Sequence, residues 1–242
     1  MKKILLCLLA FLMISCQVKK STNSIAMDKN WKAIVLNGQE ANLNGFMNDL
    51  LLEIAKKKKT SFQLIDNSSD NLLLDLKKRK YKAAFSSVEP YNFNKAKYDF
   101  STDIIKTGYV LITSKDAAFT SLADMSNKHV GYISDSQSIL FLQKYEDIFE
   151  EKYTVVPQML DDIVNGTIEG AIISIIPAYK YVKDLYQNEL KIVDPPLNDQ
   201  SIRIVTLKGE NTELLNLFNS SLQEMKKSNF LKDLKEKWGL PE

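Results

Sequence analysis

The chain has 242 residues, a formal net charge of +2, two cysteines and one histidine. Lys2 and Lys3 lie in an N-terminal segment that reads as removable, so the remaining side chains balance near zero, which excludes the strong basic excess of a nucleic-acid binder. Cys7 and Cys16 lie in the same segment, so the body is expected to hold together by its core without thiol or disulfide chemistry.

Met1-Lys2-Lys3 is a short basic start, and Ile4 to Ile14 is an apolar run too short for a permanent membrane span. It ends in Ser15-Cys16. This layout predicts a signal peptide over 1–16, and its end resembles a bacterial lipobox with Cys16 as the lipidation site. Residues 17–28, with Lys19, Lys20, Ser21, Thr22 and Asn23, read as a flexible tether with little apolar surface. About 225 residues follow the signal segment, enough for a large core or two small lobes. Trp31 to Leu36 reads as the first strand, Asn37-Gly38-Gln39-Glu40 as a turn, and Phe46 to Lys57 as a helix with apolar residues at helical spacing. Thr60 to Ile65 is a strand, Asn71 to Lys80 a helix with a basic C-terminal end, Ala83-Ala84-Phe85 a short buried strand and Tyr109 to Thr113 a longer one. The second half repeats the rhythm. Strands are expected at His129–Ile133, Tyr153–Val156 and Gly170–Ile173, with helices at Ser138–Tyr145 and Met159–Asn165 between them. A last strand, Ile202 to Leu207, precedes a helix from Thr212 to about Ser228 and a terminal helix carrying Phe230, Leu231, Leu234 and Trp238. Alternation of this kind predicts an α/β fold with mostly parallel sheets flanked by helices.

Several segments together resemble one family. Asn44-Gly45-Phe46-Met47-Asn48-Asp49-Leu50 is similar to its "G-F-D-x-D-L" helix entry, and Ala83-Ala84-Phe85 followed by Tyr98-Asp99-Phe100-Ser101 to its "D-A … D-F-S" pair. Asn127 to Gly131 resembles "G-K-x-V-G", Asn165 to Ala171 resembles "G-x-x-D-A", and Lys237-Trp238 the closing "K-W". In this order, from about Trp31 to Leu240, they resemble the extracytoplasmic solute-binding proteins of polar amino-acid ABC importers, bacterial family 3. The resemblance implies a two-lobed periplasmic-binding-protein-like clamp of type II. Lobe one would span 29–112 plus 201–242 and lobe two 113–200, with hinge crossings near Thr113–Ser114 and Pro195–Ser201. A ligand would sit in the interlobe cleft and be enclosed by hinge closure.

The pocket implied by the resemblance departs from the family. The arginine that forks the ligand carboxylate falls on Asn94, the usual threonine on Tyr91, and the preceding loop on Ser87, Val88 and Glu89. The anion turn of lobe two falls on Asp135, Ser136 and Gln137, and the carboxylate that meets the ligand ammonium falls on Ser174. There is no arginine between Arg79 and Arg203; Lys95 or Lys97 would serve only as a point charge. The polar inventory leans acidic through Glu40, Glu89 and Asp135, with Asn37 beside the first strand. A ligand of cationic or peptide-like character follows, an amino acid, oligopeptide or polyamine.

His129, alone and without a cysteine cluster, makes no metal site and is expected to be structural. There is no nucleophile elbow, phosphate loop or Ser/His/Asp set, so no catalytic residue and no cofactor is expected. The expected function is a substrate-binding lipoprotein, exported and lipid-anchored on the periplasmic face, feeding an inner-membrane ABC permease as a monomer. An extracytoplasmic sensor or partner-binding lipoprotein on the same fold is the alternative, followed by a dehydratase-type enzyme.

Overall fold

The computed structural model describes residues 22–31, 33–134 and 136–241. The signal-peptide and Cys16 lipidation readings lie outside the described residues, as does Asp135.

Two sheets organise the chain. The first runs β4 (Phe62–Asn67), β1 (Asn23–Asp28), β5 (Ala83–Ser86), β13 (Ser201–Leu207), β6 (Tyr98–Phe100), with β7 (Ile105–Lys106) also on β13. The second runs β10 (Phe149–Tyr153), β9 (His129–Ile133), β11 (Gly170–Ser174), β8 (Tyr109–Ser114), β12 (Leu190–Val193). Each holds a parallel trio whose middle strand comes first in the chain, then an antiparallel strand adjoining a crossing between the lobes.

The reading of 17–28 as a tether is corrected for 23–28. Those residues form the middle strand of the first parallel trio, and Ile25, Ala26 and Met27 are all buried. A strand covered on both faces shows a short apolar run without alternation, and here the polar residues before it hid that run. Trp31 to Leu36 is correspondingly not a sheet strand. Its end, β2 (Ile34–Leu36), pairs only with β3 (Gln39–Ala41) in a hairpin. Likewise the strand expected at 153–156 lies earlier, as β10, because Val156-Pro157 opens α5 (Val156–Val164) with proline in its first turn.

Lobe one packs α1 (Leu43–Lys58), α7 (Thr212–Lys227) and α8 (Phe230–Lys237) against its sheet. The side chain of Asn42 caps α1 by accepting from Gly45 N at 2.9 Å. Phe46, Met47, Leu50, Leu51 and Ile54 form its buried stripe. The centre is aromatic: Phe218 meets Phe62 at 5.6 Å and Phe85 edge-on at 6.4 Å. Trp238 lies against Gly45, where a Cβ would fall 2.3 Å from its ring, and its indole N–H donates to Asp49 at 3.0 Å. Lobe two has smaller aliphatic clusters. Val110, Ile112, Met159 and Leu160 pack together in one, and Leu111, Val130, Leu142 and Ile172 in the other. His129 opens β9, where its Nδ1 lies 2.8 Å from Glu151 on the neighbouring strand.

The first crossing precedes β8. Thr113 and Ser114, where a hinge crossing was expected, are inside that strand, opposite Gly170 and Leu190; the chain passes between the two sheets at 107–108. There the two crossing segments bond to each other. Thr107 N and Gly108 N donate to Gln200 O at 2.9 and 3.1 Å, Tyr109 N to Asn198 Oδ1 at 2.9 Å, and Leu197 N to Tyr109 O at 2.7 Å. Gly108 permits this closeness, since a Cβ would sit 2.3 Å from Asn198 Oδ1.

Candidate functional site

In open α/β sheets the ligand crevice lies beyond the carboxyl ends of the strands where the strand order reverses. In lobe one those ends are Asp28 on β1 and Ser86 to Glu89 after β5. In lobe two the comparable end of β9 leads to Gln137 and α4 (Ile139–Leu142). A cleft of about 720 Å³ opens between them, floored by Leu197, Asn198 and Gln200 of the returning crossing.

The lobe-one wall carries two carboxylates. Asp28 is 9 % exposed and accepts Asn30 N at 2.9 Å; among the described residues it has no cationic partner. Glu89 receives the Tyr91 hydroxyl, and the adjacent negative charge raises that phenol above its ordinary value. Ser69, Ser86, Ser87 and the Val88 loop complete the polar surface, with the Ser86 hydroxyl accepting Val88 N at 3.2 Å. The lobe-two wall is different. It offers Gln137, Leu140, Phe141 and Lys144, the last with its ammonium 5.2 Å from the Phe141 ring centre. Phe141 in turn packs on Tyr109 at 5.4 Å, whose phenol is pushed up by burial and bonded by the main chain of Gln137. Large apolar groups crowd the rim: Tyr91, Phe93 and Leu140 are each more than half exposed. Exposed apolar surface of this kind marks a place built to be covered.

Of the sequence-predicted residues, Ser87, Val88, Glu89, Tyr91, Asn94 and Gln137 line this cleft. Asn94, at the position of the family arginine, spends its amide on Glu89 O at 2.8 Å and so braces the loop. Four others do not line it. Asn37, at the tip of the β2–β3 hairpin, reaches across to α6 (Ile175–Asp184) and donates to Asp184 O at 3.0 Å. Glu40 in the same hairpin accepts from Asn42. Ser136 turns inward onto the buried Ser138 hydroxyl. Ser174 is the N-cap of α6, and this end of the helix is sealed: Ile175 N donates to Gly108 O, and Ile176 packs into the lobe-one core.

The reading missed Asp28, Trp31 and Ser69 on lobe one, and Phe141 and Lys144 on lobe two. Asp28 was hidden with its strand; the signal available was the run Ile25-Ala26-Met27 ending in an acid. Both arginines are engaged elsewhere. Arg79 pairs with Glu210 at 2.7 Å, and Arg203 is buried on β13 with Asp103 at 2.7 Å. Neither lines the cleft, nor do Lys95 and Lys97.

Residues 24–241 match the family described as bacterial extracellular solute-binding proteins, family 3. The chain is 25% identical over 202 residues to the arginine-binding extracellular protein ArtP of Bacillus subtilis, covering 81% of this chain and 78% of that one. It is 22% identical over 223 residues to the histidine-binding periplasmic protein of Salmonella typhimurium, covering 88% and 86%. The L-cystine solute receptor of Neisseria gonorrhoeae, in its unliganded open conformation, superposes with a TM-score of 0.71 at 18% identity, covering 91% of this chain and 93% of that one. Twin sheets, a cleft at their carboxyl ends and a match across nearly every described residue agree: the chain belongs to the family 3 extracellular solute-binding proteins of amino-acid ABC transporters, binding proteins rather than enzymes.

Proposed function

We propose that this protein captures a cationic amino acid between its lobes and delivers it to an ABC permease. One observation carries the reading: the lobe-one wall presents Asp28 and Glu89 to the cleft, and among the described residues no arginine lines that cleft; Arg203, which shares an adjoining pocket with Glu89, is paired with Asp103. A carboxylate as enclosed as Asp28, without a cationic partner among the described residues, is costly to leave unpaired. A ligand ammonium or guanidinium supplies the missing charge. Trp31 and Tyr91 on the same wall are aromatic, and ring faces attract such cations. Relatives named for binding arginine and histidine fit the same chemistry. Closure over the exposed rim would exclude water and strengthen each contact. Cys16 would tether the protein at the periplasmic face through its lipid, leaving it a monomer near the permease.

A thermal-shift screen tests the reading with arginine, lysine, histidine, glutamate, di- to pentapeptides and polyamines. A ligand at about 100 times its dissociation constant stabilises the folded state by about 2.7 kcal/mol. Arginine, lysine or histidine is expected to raise the melting temperature, and glutamate is not. A response to peptides alone would replace the amino-acid reading with peptide capture. Export in a bacterial host with a Cys16→Ser control checks the lipid: fatty-acid labelling is expected only for the unaltered chain.

A further inference from the structure

We propose that Lys144, on the lobe-two wall, is the carboxylate anchor for the ligand. This deepens the cationic amino-acid reading and rests on it. A free amino acid brings a carboxylate as well as its cationic groups, and enclosing that carboxylate demands a partner. Lobe one has none to offer. Its cleft-lining charges, Asp28 and Glu89, are both negative, Asn94 is committed to Glu89 O, and Arg203 is committed to Asp103. Among the described residues Lys144 is the only cation that lines the cleft. It has no carboxylate partner there, and its ammonium rests over the Phe141 ring at 5.2 Å. Phe141 is itself packed against Tyr109 on β8, so the ring beneath the Lys144 ammonium is held in place where both residues line the cleft.

The arrangement separates the two ends of the ligand between the two lobes. The cationic end docks first on Asp28 and Glu89, because those acids already line the cleft together on one lobe. The carboxylate gains its partner only as lobe two swings over and brings Lys144 to it. Recognition of the carboxylate is thereby a closing force. An amine that lacks a carboxylate would occupy lobe one without drawing the clamp shut.

The test titrates the purified protein calorimetrically with matched pairs: L-arginine and agmatine, L-lysine and cadaverine, L-histidine and histamine. Each amine keeps the cationic side chain of its partner and lacks only the carboxylate. The unaltered protein is expected to favour an amino acid over its amine by about tenfold or more. Lys144→Met is expected to erase that preference by weakening the amino acid while leaving the amine within about twofold, and Lys144→Arg to keep it. Retained amine binding also reports that the variant cleft is intact. A Lys144→Met protein that still prefers the amino acid overturns the anchor. So does an unaltered protein with no preference, although cation capture then stands. Binding of neither member of any pair overturns the cationic amino-acid reading, and the anchor falls with it.

Discussion

The two lobes repeat one topology and put different chemistry on it. In each, a parallel trio is followed by an antiparallel strand adjoining a crossing, β13 in lobe one and β8 in lobe two. In each, the cleft lies past the carboxyl ends of the trio. Lobe one is the heavier half, with Phe46, Phe85 and Phe218 in a large cluster with α1, α7 and α8 and a smaller one of Leu72, Leu76, Tyr81 and Tyr98 apart from it. It holds Asp28 and Glu89 toward the cleft. Lobe two divides its aliphatic residues between the faces of its sheet and presents Gln137 and Lys144. The repeated backbone therefore fixes where a ligand sits, while residues at a few strand ends fix its charge. Specificity can change without disturbing either sheet.

The largest expected effect tests the contrast between the cores. Phe218→Ala removes the ring shared by Phe62 and Phe85 and should cost about 3–5 kcal/mol of stability in urea unfolding. Removing one methyl from the buried Ile163 of a lobe-two cluster, as Ile163→Val, should cost only about 0.5–1.5 kcal/mol. Equal costs would end the distinction. The next effect tests the walls. Asp28→Asn should weaken binding of a cationic amino acid by about 2–3 kcal/mol, roughly 30- to 150-fold by calorimetry, with little change in melting temperature. Gln137→Ala, on the neutral side, should cost no more than about 1 kcal/mol of affinity.

The smallest effect concerns the acid limb of stability in lobe one. Lys237 holds Asp49 below the usual carboxylate range with help from the Trp238 N–H, and partial burial opposes them. A depressed carboxylate contributes stability that is present above its unfolded value near 3.8 and lost as pH falls through its lower folded value. Because Lys237 is largely exposed and salt screens the pair, Asp49→Asn should cost only about 1 kcal/mol at neutral pH. Thermal melts from pH 6 to pH 2.5 should show the gap between variant and parent closing at the acid end. A gap that widened on acidification would contradict the assignment.

The fold was legible because order is informative where single motifs are weak. Gly45 and Asp49 at the entry of α1 and Trp238 beyond α8 are far apart in sequence, yet they meet in one contact. The loop after β5 was also legible, since Ser87 to Asn94 follow at fixed distance from a strand that the run Ala83-Ala84-Phe85 announces. Asp28 was not, because its strand is short, buried on both faces and preceded by polar residues typical of a tether. Asn37 and Ser174 were misplaced for a different reason. Each lies near a strand end, but the β2–β3 hairpin and α6 close on each other on one flank of the molecule, and only the folded chain shows that contact. Lys144 carried no signal, because a lysine after a short helix looks like any solvated charge.

The stitched crossing has a mechanical consequence. Four hydrogen bonds join the segments around Thr107–Tyr109 and Leu197–Gln200 into a narrow two-ply strip. Such a strip bends easily across its width, because bending leaves the bonds between its plies intact. Sliding one ply past the other would break them together, and twisting would force Gly108 off Asn198. If the halves move about this strip, the strip would favour one bending direction over the others. Closure along such an arc, rather than through a volume, would return the same two surfaces to the same alignment.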